Sequence, residues 1–172
     1  MVNFYLEHMK IYLESGSSNK HLLRCFLDDW FAYRNKGPLL NRNGNPRWFN
    51  NPCPTKNREA LLSMHFISNS AMKTISGEEN FRLVKDHSIP ISGLYEILKS
   101  IENPNVKKIH ETLIKYYRLG VLTIEEDNVL THLGYRSKMP KNWTQGDDPF
   151  IRYKEAKIDG TVNLIDDFSS SI

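Results

Sequence analysis

Phe81-Arg82-Leu83-Val84-Lys85-Asp86-His87-Ser88-Ile89-Pro90 is the stretch on which the fold class turns. Phe81 to Lys85 reads as the clearest strand of the chain, an aromatic and β-branched run bounded by polar residues. Pro90 suits the first turn of a helix, where its missing N–H is not needed. Leu94, Ile97, Leu98 and Ile101 then continue at helical spacing. A strand feeding a helix, inside a chain whose other apolar residues mostly recur at helical spacing, predicts an α+β domain. It should be predominantly α-helical, with about seven helices and a small two- or three-stranded sheet.

Working outward, Val2 to Glu14 carries Phe4, Leu6, Met9, Ile11 and Leu13 at helical spacing and stops at Ser15-Gly16. A second helix starts near Ser17-Ser18, runs through Leu22, Leu23, Phe26, Leu27 and Trp30, and ends before Gly37-Pro38. Asn57 to Phe66 reads as a third, and Asn69 caps a short fourth that ends at Gly77. A further helix spans Asn105 to Leu119 with Gly120 as its stop, and Val121-Leu122 is a second short strand. Thr123-Ile124-Glu125-Glu126 is a capping box for a helix ending near Gly134. A last amphipathic piece lies around Phe150 to Ala156.

The charges segregate. Phe31 to Arg58 holds six basic residues, among them Arg34, Lys36, Arg42 and Arg47, and no acid, with Tyr33, Trp48 and Phe49 interleaved. Its centre, 37 to 54, has two glycines and four prolines among asparagines, so it forms a loop rather than a regular element. Long loops of this kind are uncommon in compact domains unless they act. Cations neutralise phosphates and aromatic or Arg planes stack on bases, so the interleaving suits a nucleic-acid surface. A second acid-free run, Tyr135 to Trp143, adds Arg136, Lys138 and Lys141 to the same expected interface, with Trp48 or Trp143 for stacking. The opposing reading makes Met139 and Trp143 core anchors and leaves the charges facing water.

From Gln145 onward acids dominate: Asp147, Asp148, Glu155, Asp159, Asp166 and Asp167 against Arg152, Lys154 and Lys157. The expectation is a single domain over 1–144 and a partly ordered acidic extension over 145–172 that folds over the basic surface and weakens non-specific DNA binding. The net charge of +3 hides this asymmetry. Cys25 and Cys53 lack metal-knuckle or redox spacing and read as free thiols. Glu7, His8 and Lys10 interrupt the first apolar stretch, and no apolar run approaches the roughly 20 residues of a membrane span. A soluble cytoplasmic protein, of prokaryotic or phage type, is expected.

Asp86-His87-x-x-Pro90 resembles the opening of the HNH, or ββα-metal, nucleases, whose first motif commonly reads Asp-His-x-x-Pro at the end of a strand. The resemblance implies that His87 is the general base on an attacking water and that Asp86 is a ligand of one Mg²⁺ or Mn²⁺ ion. It further implies an Asn downstream and a His or Asn on a following helix, where Asn103 and His110 stand, His110 being the second metal ligand. A whole helix intervenes between His87 and Asn103, which departs from the family pattern. Asp86 and His87, adjacent on a strand, share a site only if the strand ends there. The opposing reading makes Asp86 a cap of the helix at Pro90. Glu125, Glu126 and Asp127 read as first-turn acids that complement a helix dipole rather than as a metal cluster.

No Gly-rich phosphate loop or nucleophile elbow is present, so no nucleotide cofactor is expected. Three functions remain open. The first is a metal-dependent DNA endonuclease, with DNA favoured over RNA. The second is a non-catalytic nucleic-acid-binding protein, and the third is an inhibitor-like module whose loop docks on another protein.

Overall fold

The computed structural model describes residues 1–47 and 55–163. The expected contributions of Trp48, Phe49, Cys53, Asp166 and Asp167 lie outside the described residues. The chain forms α1 (Val2–Glu14), α2 (Lys20–Asn35), α3 (Arg58–Leu62), β1 (Phe66–Ser68), α4 (Asn69–Ser76), β2 (Leu83–His87) and α5 (Ile91–Lys99). There follow α6 (Val106–Tyr116), β3 (Leu119–Thr123), α7 (Ile124–His132), α8 (Ile151–Glu155) and β4 (Gly160–Val162). This is the α+β domain expected, with four strands in place of two or three. Among the described residues no helix is long and apolar enough to cross a membrane.

The strands run in the order β2-β3-β1-β4. β3 pairs antiparallel with β2 and parallel with β1, while β4 closes the other edge antiparallel to β1. Alternation along each strand separates two faces. Ile67, Leu83, Leu119 and Val121 join Leu6, Trp30, Phe31, Leu94 and Leu113 in the main core beneath α1, α2, α5 and α6. Phe66, Val84 and Leu122 join Leu130, Phe150, Tyr153 and Ile158 in a second core beneath α7 and α8. The sheet is the middle of three layers.

Caps explain several boundaries. The Asn19 side chain accepts from the Leu22 N–H, so α2 starts two residues later than expected. Ser68, not Asn69, caps α4, and Gly77 ends it in the left-handed conformation at φ 89°. The Thr123 capping box forms as read, with the Glu126 carboxylate also accepting from Ser68 Oγ at 2.6 Å.

Three expectations need correction. The helix expected to reach Phe66 stops at Leu62, because Phe66 to Ser68 is claimed by the sheet. The helix expected over Asn105 to Leu119 likewise ends at Tyr116, because Leu119 and Gly120 open β3. The boundary at 144/145 fails as well. Phe150, Tyr153 and Ile158 are buried and β4 pairs with β1, so residues to 163 belong to the domain despite their acidic composition. Apolar burial decides where a segment folds, and the acids merely occupy its wet side.

β4 tests this closure. A Cβ on Gly160 would stand 2.3 Å from the Ile67 carbonyl oxygen and 2.6 Å from the Phe66 ring, against backbone that cannot move alone. Gly160→Ala should therefore lower stability by about 1–3 kcal/mol, read as a shift of the urea midpoint. An unchanged midpoint would mean that β4 is not held against β1 as described.

Candidate functional site

β2 ends in Asp86-His87, and its alternation decides which way each side chain goes. Lys85 and His87 are two residues apart, so they share a face and point toward α2; Asp86 points toward α8. On the α2 side, Lys85 Nζ donates to Asp28 Oδ2 at 2.7 Å, and His87 Nε2 lies 2.9 Å from Asp28 Oδ1. Tyr117 O–H donates to the same Oδ1 at 2.5 Å, and Arg24 stands 3.7 Å from Oδ2. All but Arg24 are buried. Asp28 is absent from the residues that the sequence pattern marks for the site.

Burial by itself would raise the Asp28 carboxyl, but the hydrogen bonds and charge of His87 and Lys85 outweigh it and hold the carboxyl well below the ordinary range. Burial pushes the His87 imidazole down; Asp28 opposes this, and Lys85 and Arg24 add to it. Lys85 is the cation paired with the carboxylate, and with the imidazole pushed down the pair near neutral pH is an Asp28 carboxylate and a neutral His87. Burial and Asp28 together hold the Tyr117 phenol protonated as a donor.

On the other face, Asp86 Oδ2 accepts from Arg152 Nη2 at 2.6 Å and from Tyr153 O–H at 2.9 Å. Arg152 is fully buried and also donates to the carbonyls of Ser88, Tyr135 and His87. Asp86 is therefore an anchor of α8 to the end of β2 rather than the cap of α5, whose N-cap Pro90 makes no side-chain bond.

The strand ends here, and both residues reach one cleft of about 360 Å³. Lys20, Arg24, Lys85 and Arg136 line it with Asp86, His87, Ser92 and Asp127. Ser92 Oγ fixes its rim by donating to the Ser137 carbonyl at 2.6 Å. Asp127, in the first turn of α7, is the one residue of the Glu125-Glu126-Asp127 run that lines the cleft. Burial raises its carboxyl, the neighbouring Asp86 carboxylate raises it further, and Arg136 and Arg152 oppose. Asp86 and Asp127 are the carboxylates that line this cleft and so the two that could hold a small divalent ion, which commonly takes one or two carboxylates and completes its shell with water and phosphate oxygens.

The other expected site residues fall elsewhere. His110 packs its ring on Trp30 at 5.8 Å, beside Arg34, and does not line the cleft. Asn103 sits in the turn before α6 with φ 49°. Among the described residues no group of three or more His, Cys, Asp or Glu is placed to hold a metal. The pairing of Asp86 with His110 as ligands is thus not what the fold assembles; Asp127 is the carboxylate that the fold brings to Asp86.

The two basic segments also separate. Arg136 enters the cleft, whereas Lys138 and Lys141 are exposed outside its lining. Met139 and Trp143 pack on the main core, as the opposing reading has it. Arg34, half-buried over the Trp30 ring, and Lys36 stand at the far end of α2 from Lys20 and Arg24, while Arg42 and Arg47 follow in the exposed turns beyond. At about 1.5 Å per residue, Arg34 lies about 15 Å along α2 from Arg24 and about 21 Å from Lys20. Arg47 Nε donates to the Leu40 carbonyl at 2.8 Å, on the edge of a larger hollow of about 630 Å³ that also includes Arg58.

His65, by contrast, is structural. Its Nδ1 accepts from the Leu119 N–H at 3.1 Å, and burial, with Arg118 and Arg34, pushes its pKa down to about 3.

Comparison with known proteins adds no relative. No family model, no curated protein and no solved structure matches the chain. The functional reading rests on the cleft.

Proposed function

We propose that the protein binds a nucleic-acid backbone in this cleft and hydrolyses a phosphodiester there, as a metal-dependent endonuclease of HNH-like type. One observation carries the reading: four cations converge on His87, Asp86 and Asp127 at the open end of a ββα unit. In that unit β2 and β3 are antiparallel, α7 follows β3 directly, and α5 and α6 stand as an insertion between the two strands.

Lys20, Arg24 and Arg136 attract and orient the phosphate, whose charge grows toward the transition state, while Lys85 stays bonded to Asp28 behind them. His87 Nδ1 takes the proton of a water as its oxygen attacks phosphorus; the P–O bond to the leaving group breaks, and that oxygen recovers a proton from solvent. A divalent cation held by Asp86 and Asp127 would supply Lewis-acid stabilisation of the phosphate and the leaving oxygen. Arg152 and Tyr153 both bond Asp86 Oδ2, so Oδ1 is the oxygen that would be left to hold such an ion.

Nicking of supercoiled plasmid in Mg²⁺ or Mn²⁺, abolished by chelator, is the expected result. A second reading, binding without catalysis, is favoured by the same two bonds, because Arg152 already neutralises Asp86. Stable plasmid binding with no cleavage under any metal would establish that reading instead.

Binding is testable separately. Lys20→Ala with Arg136→Ala should weaken affinity for duplexes of unrelated sequence alike. It should also reduce the slope of log affinity against log salt by about one for each phosphate no longer neutralised. A slope equal to that of the parent would remove these two residues from the interface.

A further inference from the structure

A histidine can act as a base only through the nitrogen that lacks hydrogen, so which nitrogen is committed elsewhere decides the chemistry. Here the commitment is made from a distant element. Asp28, 59 residues before His87, accepts on Oδ1 from both His87 and Tyr117, and on Oδ2 from Lys85. An ionised carboxylate only accepts hydrogen bonds. The hydrogen of the imidazole is therefore drawn to Nε2, and Nδ1 keeps its lone pair. No described residue bonds Nδ1, and His87 lines the cleft. The Tyr117 ring packs edge-on against the imidazole, at 5.5 Å and 70°.

We propose that Asp28 is the positioning residue of the site: it fixes His87 as the Nε2–H tautomer and aims the Nδ1 lone pair at the phosphate cleft. This rests on the phosphodiester reading above for its consequence in catalysis, but not for its geometry. Lys85 has a double part, since it neighbours the cleft and supplies the charge that keeps Asp28 ionised in a buried place. The arrangement follows the logic of an Asp-His couple, in which the acid never meets the substrate yet sets which ring nitrogen works.

The decisive measurement is a long-range ¹H–¹⁵N correlation spectrum of the uniformly labelled full chain, with the His87 signals assigned by their loss in His87→Ala. A protonated Nε2 and bare Nδ1 are expected; a protonated Nδ1 would overturn the proposal. In Asp28→Asn the amide can turn its NH₂ toward Nε2, so the hydrogen should move to Nδ1. Plasmid nicking should then fall by about 10²-fold or more while plasmid affinity stays at the parent's level. Asp28→Glu should restore the parental tautomer and part of the rate. Parental nicking by Asp28→Asn would overturn the proposal. If Asp28→Asn fails to fold, the parent's own spectrum decides. If the parent does not nick DNA at all, the hydrolytic reading falls, and the spectrum still decides whether Asp28 sets the ring.

Discussion

His87→Ala should nick supercoiled plasmid about 10²–10⁴-fold more slowly than the parent, the usual contribution of a positioned general base. The fold should survive the change, because Asp28 keeps its bonds from Lys85 and Tyr117 and no buried charge is orphaned. Removal of Asp28 would instead strand Lys85. Plasmid affinity should stay near the parental level, since Lys20, Arg24 and Arg136 remain. Nicking by His87→Ala at the parental rate, in protein with an unchanged thermal melt, would take the base away from His87. Loss of both rate and melt would show only that the imidazole holds the fold.

The largest stability effect should come from Arg152→Met. The guanidinium is fully buried and donates to the carbonyls of Ser88, Tyr135 and His87 as well as to Asp86. Methionine fills part of the volume but leaves the Asp86 charge without its partner and three acceptors without donors. Breaking one side of a buried pair costs on the order of 3–5 kcal/mol. That is a large share of the roughly 5–15 kcal/mol of an ordinary domain, so partial unfolding at room temperature is expected. Asp86→Asn should cost less, because the amide oxygen still accepts from Arg152 and Tyr153. Urea denaturation of the two variants decides the matter. A loss under about 1 kcal/mol for Arg152→Met would mean that solvent satisfies these groups and that α8 is not pinned by them.

Much of this architecture is legible in local pattern. The helices over 2–14 and 91–99, the start of α6 and the Thr123 capping box follow from periodicity and caps, while the strand read over Phe81 to Lys85 forms two residues later and α6 stops at Tyr116 rather than Leu119. β1 and β4 are not legible, because three residues are too few for a period, and Phe66 and Gly160 gain their meaning only from each other. Gly160 looks like an ordinary turn former until its neighbours are known. The cleft is half legible. Asp86 and His87 stand out through their motif, and Arg136 through an acid-free run. Asp28 sits in Leu27-Asp28-Asp29-Trp30 with nothing to separate it from its neighbour Asp29. One signal does exist: Leu83, Lys85 and His87 share a strand face, so a core-facing Leu83 obliges a buried Lys85 to find an anion. Lys20 and Arg24 escape notice because a helix start with two scattered bases looks like any solvated surface. Conversely, the dense basic loop draws attention by composition, while the fold places its cations at the far end of α2.

The bonds that build this cleft join residues 57, 59, 66, 67 and 89 positions apart. Contacts of such separation close late, because chain entropy must be surrendered before any of them forms. During synthesis from the amino terminus, β2 emerges with its Asp86 long before Arg152 and Tyr153 exist to meet it. A growing chain can complete its main helical core while the second core still lacks α8. The cleft therefore gains its scaffold only once residues 152 and 153 have been made, and a nascent chain interrupted before residue 152 holds the Asp-His motif without the bonds that set it.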